Sequence, residues 1–122
     1  MAEIYRNQHG KERPAYPREV AIPESTKRKE YFQTVLEPNI TAGFVEQGIH
    51  VAVDLIGSTV VDQAGPDSDI DCLVSPIPAI NATTDESWRF LAVARAVWRD
   101  VQDTAEFRFD LHCVLGDHSV RV

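Results

Sequence analysis

Sulfur is scarce in this chain: two cysteines, Cys72 and Cys113, and one methionine in 122 residues. Both cysteines fall inside apolar, strand-like runs. They read as small buried hydrophobes rather than as a disulfide or a metal pair. Long apolar runs are missing too, and none approaches the length that crosses a bilayer. The opening residues, MAEIYRNQHGKERP, lack the apolar centre of a signal peptide, so a cytoplasmic protein with no membrane association is expected. Asn39–Thr41 and Asn81–Thr83 match the glycosylation pattern, which carries no weight without a secretory route. No internal repeat is visible. At 122 residues the chain suffices for one domain with a hydrophobic core and not for two.

Basic charge is also short over most of the length. The net charge is −7, and residues 1–32 sum to +2 against −9 for residues 33–122. Binding of long nucleic acid rests on neutralising phosphates, so an acidic body disfavours it. The same body suits a site that gathers cations.

Residues 1–24 are polar, contain Pro14, Pro17 and Pro23, and show no period. They are expected to form an extended arm, with a single domain over residues 25–122. Ser25 or Thr26 is placed to cap a helix through KRKEYFQTVLEP, whose apolar side is Phe32, Val35 and Leu36. Pro38 suits the first turn of a second helix, ended by Gly48. IHVAVDLIG reads as a strand, and DIDCLV as another that Pro76 and Pro78 stop. The strongest helix follows, with Thr83 and Glu86 as its capping box and Trp88, Leu91, Ala94, Trp98 and Val101 as its core stripe. FRFDLHCVL is a third strand and HSVRV a short last one, so the fold class is α/β with a mixed sheet.

The chemistry lies in DLIGSTVVDQAGPDSDIDCLV, residues 54–74. A strand puts residues i and i+2 on one face. Asp69 and Asp71 therefore point together while Ile70, Cys72 and Val74 face the core. Two carboxylates held this close are unfavourable unless a positive charge lies between them, and hard divalent cations take such oxygen ligands. On the third strand Asp110 and His112 alternate with the core residues Phe109, Leu111 and Cys113. If the two strands are neighbours, Asp110 joins the pair. His112 reads as a solvated strand histidine, Asp54 as a polar edge position, and Arg89, Arg95 and Arg99 as a solvated helix face. Gly57-Ser58 follows a strand and seats a turn in which backbone amides and a hydroxyl are able to hold phosphate oxygens.

Strand, Gly-Ser, loop, Asp-x-Asp in a strand and a later strand aspartate together resemble the polymerase-beta-like nucleotidyltransferase superfamily. Within it the stretch GSTVVDQAGPDSDIDCLV is most similar to the small minimal nucleotidyltransferases, over roughly residues 30–115. The resemblance implies a palm-like domain with helices packed on one face. It implies that Gly57 and Ser58 hold the nucleotide's phosphates, and that Asp69, Asp71 and Asp110 ligate two Mg²⁺ (or Mn²⁺) ions and do the catalysis. The implied reaction moves a nucleoside monophosphate, AMP foremost, from a nucleotide triphosphate to a hydroxyl and releases pyrophosphate. The implied acceptor is a protein or a small molecule, as in the antitoxin half of toxin–antitoxin pairs, with an RNA 3′ end as the alternative. The sequence departs from the family at Val61-Asp62, where small members carry Arg-Gly. Arg108 or one of Lys27, Arg28 and Lys29 is the candidate replacement cation. Since larger relatives add helices after the third strand, a protein partner or second copy is expected to complete the site. Two other readings stand beside the enzyme: a catalytically impaired nucleotide- or partner-binding module, and an α/β domain whose aspartates are merely exposed.

Overall fold

The computed structural model describes residues 4–6, 12–14, 16–81 and 84–122, the first two segments as backbone only. β1 (Ile4–Arg6) and β2 (Glu12–Pro14) pair antiparallel.

Helix α1 spans Arg18–Tyr31 and so begins earlier than the prolines suggest. Pro17 is its N-cap, and its carbonyl accepts from the amides of Val20 and Ala21 at 2.9 and 2.8 Å. Ser25, expected as the cap, instead sits in mid-helix, and its hydroxyl accepts from the amide of Ala64 at 3.0 Å. The buried face of α1 is Ala21, Ser25 and Arg28, which is helical spacing with little apolar content. Its partner is the 57–69 loop. The Arg28 guanidinium donates to the carbonyls of Ser68 at 3.0 Å and Pro66 at 3.1 Å and to the Glu24 carboxylate at 2.7 Å, and stacks 4.8 Å from the Phe107 ring. Tertiary hydrogen bonds therefore hold this helix, with Pro23 inside it.

α1 continues through a π-helical turn, Phe32–Leu36, into α2 (Glu37–Glu46). A proline clashes with the carbonyl four residues before it. For Pro38 that is Thr34, within the wider π turn, so the helix passes the proline without a break. Gly48, at φ +74°, ends α2 as expected.

β3 (His50–Ile56), β4 (Ile70–Ile77), β5 (Phe109–Leu115) and β6 (His118–Arg121) form one mixed sheet in chain order. Only β4 and β5 are parallel, and α3 (Asp85–Thr104) supplies the crossover that a parallel pair needs. β4 runs through Pro76 rather than stopping there. Its pairing with β5 ends at Val74, so only β3 lies beside the proline, which is tolerated on such an edge.

The core lies on one face of the sheet. Phe32, Leu36, Ile40 and Phe44 from the long helix and Phe90, Ala94 and Val97 from α3 pack against the alternate strand residues Ile70, Cys72, Val74, Phe109, Leu111 and Cys113. The α3 stripe is turned from the expected one: Ser87, Phe90, Ala94 and Val97 are buried, and Trp88 is 73% exposed. Trp98 is packed, and its indole donates to the Phe109 carbonyl at 2.7 Å. Thr83, half of the expected capping box, lies outside the described residues. Arg89, Arg95 and Arg99 are exposed as expected. Among the described residues no helix is long and apolar enough to cross a membrane.

Candidate metal centre

The register of β4 against β5 builds the site. Gln102 brackets the start of β5: its amide donates to the Phe107 carbonyl at 3.1 Å, and its oxygen accepts from the Phe109 amide at 2.9 Å. The Ile70 amide donates to the Arg108 carbonyl at 2.9 Å. Asp71 therefore stands directly opposite Asp110, and Leu73 opposite His112. These side chains occupy the sheet face away from the helical core. Ile56 flanks Asp71 on β3, and Asp54 and Arg121 end the neighbouring row. Asp54 is exposed on the edge strand, as expected.

One ligand atom from each of Asp71, Asp110 and His112 lies within 4.8 Å of the others. His112 Nε2 and Asp71 Oδ1 share a hydrogen bond at 3.2 Å. Donors bound about 2.1 Å from one ion are roughly 3 Å apart when at right angles and roughly 4 Å apart when opposite. The His112–Asp71 pair has the first of these spacings, and the set, within 4.8 Å, closes around a single divalent ion with a small side-chain shift. His112 is a correction: it is 4% exposed, not solvated. The signal for it was its place two residues after Asp110 on the same strand face.

The Asp110 carboxyl is held above its usual range, first by burial and then by the charges of Asp69 and Asp71, with Arg121 and His112 opposing. A bound cation would relieve that like-charge stress. Asp69, just before β4, is exposed and stands outside the three-donor group although its charge reaches Asp110. Burial pushes the Cys72 and Cys113 thiols up to about 12, so both are inert core residues, as expected.

The Gly-Ser turn abuts this centre. Gly57 has φ +83°, and a Cβ on it would lie 2.5 Å from Asp71 Oδ2. Only glycine lets the loop leave β3 in that conformation and pass so close to the carboxylate. Ser58 is half-buried, and its carbonyl accepts from the Gln63 amide at 2.8 Å to close the turn. Thr59 carries no signal in the sequence; it is 1% exposed, and its Oγ1 has no partner among the described residues. An orphaned buried hydroxyl is uncommon in native proteins.

Three of the four candidate cations have other duties, and the fourth, Arg108, borders the site. Arg28 is buried in its clamp on the loop, and Lys27 pairs with Glu24 at 3.2 Å. Lys29 pairs with Asp62 at 2.7 Å and so neutralises the acidic residue of the Val61-Asp62 departure. Arg108 is exposed beside the start of β5.

Comparison of the chain with protein-family models, with curated proteins and with solved structures finds no match.

Proposed function

We propose that the chain is a metal-dependent nucleotidyltransferase that moves a nucleoside monophosphate, AMP foremost, from a nucleotide triphosphate to a hydroxyl of a protein or small-molecule acceptor. The observation that carries this reading is the parallel β4–β5 register, which sets Asp71 against Asp110 beside the glycine turn. An ion bound there would neutralise phosphate charge and polarise the attacked phosphorus. The chain's own part is placement. Asp71 and Asp110, with His112, would hold the ion. The Gly57-Ser58 turn brings backbone amides and a hydroxyl to the phosphates at the same end of the sheet. Asp110 takes the proton lost by the acceptor. The acceptor oxygen bonds to the α-phosphorus as the bond to the pyrophosphate oxygen breaks.

The binding-module reading draws on one observation. The loop offers the phosphates no free cation at residues 61–62, and the nearby Lys29 is engaged by Asp62. The test is pyrophosphate release from each of the four ribonucleotide triphosphates with Mg²⁺ or Mn²⁺, beside Asp71→Asn and Asp110→Asn. Nucleotide-selective release that both variants abolish is expected, and a gain of one nucleotide in the mass of a co-purified protein would identify a protein acceptor. Nucleotide binding without release would favour the binding module. Release unchanged in both variants would overturn the site.

A further inference from the structure

We infer that the centre takes a nitrogen donor from His112 and thereby selects a first-row transition ion such as Mn²⁺ or Co²⁺ over Mg²⁺. This deepens the reading of Asp71 and Asp110 as a metal centre and rests on it. The sequence pattern pointed to an all-oxygen set of Asp69, Asp71 and Asp110. The fold assembles a different one. Asp69 is exposed and outside the group, and the third position within reach of both carboxylates is an imidazole.

The placement of His112 is built in. The same register that sets Asp71 against Asp110 puts His112 one row deeper on β5, opposite Leu73. The ring is 4% exposed, and its Nε2 is hydrogen-bonded to Asp71 Oδ1 at 3.2 Å, a spacing that an ion taking the place of the shared proton would keep. Gly57 closes the other side, where a Cβ would fill the space beside Asp71 Oδ2. Mg²⁺ prefers oxygen ligands, keeps its water and gains little from an imidazole. Co²⁺ and Zn²⁺ favour an imidazole ligand, Mn²⁺ accepts one beside its oxygens more readily than Mg²⁺ does, and mixed histidine–carboxylate sets with open positions hold zinc and iron. The open positions would remain for phosphate oxygens.

The experiment is a Mn²⁺ titration of the whole chain followed by electron paramagnetic resonance, with Mg²⁺ as competitor, and electron spin-echo spectra of the bound ion. The wild type is expected to bind Mn²⁺ in competition with a large molar excess of Mg²⁺ and to show modulation from a directly bound nitrogen. His112→Gln and His112→Asn, checked for folding by circular dichroism, should lose the nitrogen signal and roughly ten-fold or more of the Mn²⁺ affinity, while Mg²⁺ affinity moves little. Should neither variant fold, the wild-type spectrum decides alone, because bound Mn²⁺ without nitrogen modulation overturns the inference. Nitrogen modulation that persists in a folded His112 variant overturns it too. If Mn²⁺ and Mg²⁺ bind alike and pyrophosphate is still released, His112 is not a ligand and the transferase reading stands. If no divalent ion binds at all, both fail.

Discussion

Replacing Gly57 by alanine separates a backbone cost from a site cost, because Gly48 supplies a matched control. Both glycines are left-handed, at φ +83° and +74°, so an alanine at either pays roughly 1–2 kcal/mol of conformational strain. At Gly48 nothing lies within 4 Å of the added Cβ, and that strain is the whole effect. At Gly57 the Cβ meets Asp71 Oδ2 at 2.5 Å and Asp71 Cβ and Cγ at 3.3 Å. Asp71 must swing away, and driving it back to its ligating position against the methyl costs about 0.5–1.5 kcal/mol for a strained rotamer. Because 1.4 kcal/mol is tenfold, Gly57→Ala should lose up to roughly ten-fold in Mn²⁺ affinity. Gly48→Ala should bind Mn²⁺ as the wild type does. Thermal melts of both variants should fall by several degrees, Gly57→Ala by more. The assay is the same Mn²⁺ titration with melts recorded alongside. Equal Mn²⁺ affinity in Gly57→Ala and wild type would refute the placement of Asp71 in a metal centre held by the glycine turn.

Two further outcomes follow from the same geometry. Arg28→Met removes charge-assisted hydrogen bonds to the Pro66 and Ser68 carbonyls, about 1.5 kcal/mol or more each, and the stack on Phe107, so a loss of roughly 3–4 kcal/mol in urea unfolding is expected. Arg28→Lys should recover little of it, since an ammonium cannot reproduce the guanidinium fork, and a loss below about 1 kcal/mol for Arg28→Met would contradict the clamp. Asp110→Asn should stabilise the metal-free chain at neutral pH. The Asp110 carboxyl is raised in the folded state, so its penalty is fully present above its folded value and vanishes as pH falls below the usual carboxylate value of about 4. Melts in chelator should show the gain at pH 7 shrinking toward pH 4, and a gap that does not change with pH would rule this out.

Periodicity was enough to locate what periodicity controls. The alternation of Ile70, Cys72 and Val74 with Asp69 and Asp71, and of Phe109, Leu111 and Cys113 with Asp110 and His112, reads directly from the chain because one sheet face is core. The α/β class, the three principal strands, the end of α2 at Gly48 and the two inert cysteines were legible for the same reason. The first turns of α1 were not. That face is Ala21, Ser25 and Arg28, and its partners are carbonyls and an amide some forty residues away in the chain, which no local pattern announces. Trp88 was misplaced because turning a helix by one residue, about 100°, exchanges neighbours on its buried stripe, and only the packing of α3 on the sheet decides which side it shows. The carboxylates of residues 69–71 and Asp110 could be named from spacing alone. Whether β4 and β5 are neighbours, in which direction they pair and in which register are tertiary facts; the α3 crossover allows the parallel direction, and Gln102 holds the start of β5 to α3. That register exchanges exposed Asp69 for buried His112 in the three-donor group, because ligation depends on which atoms converge in space rather than on which residues share a motif.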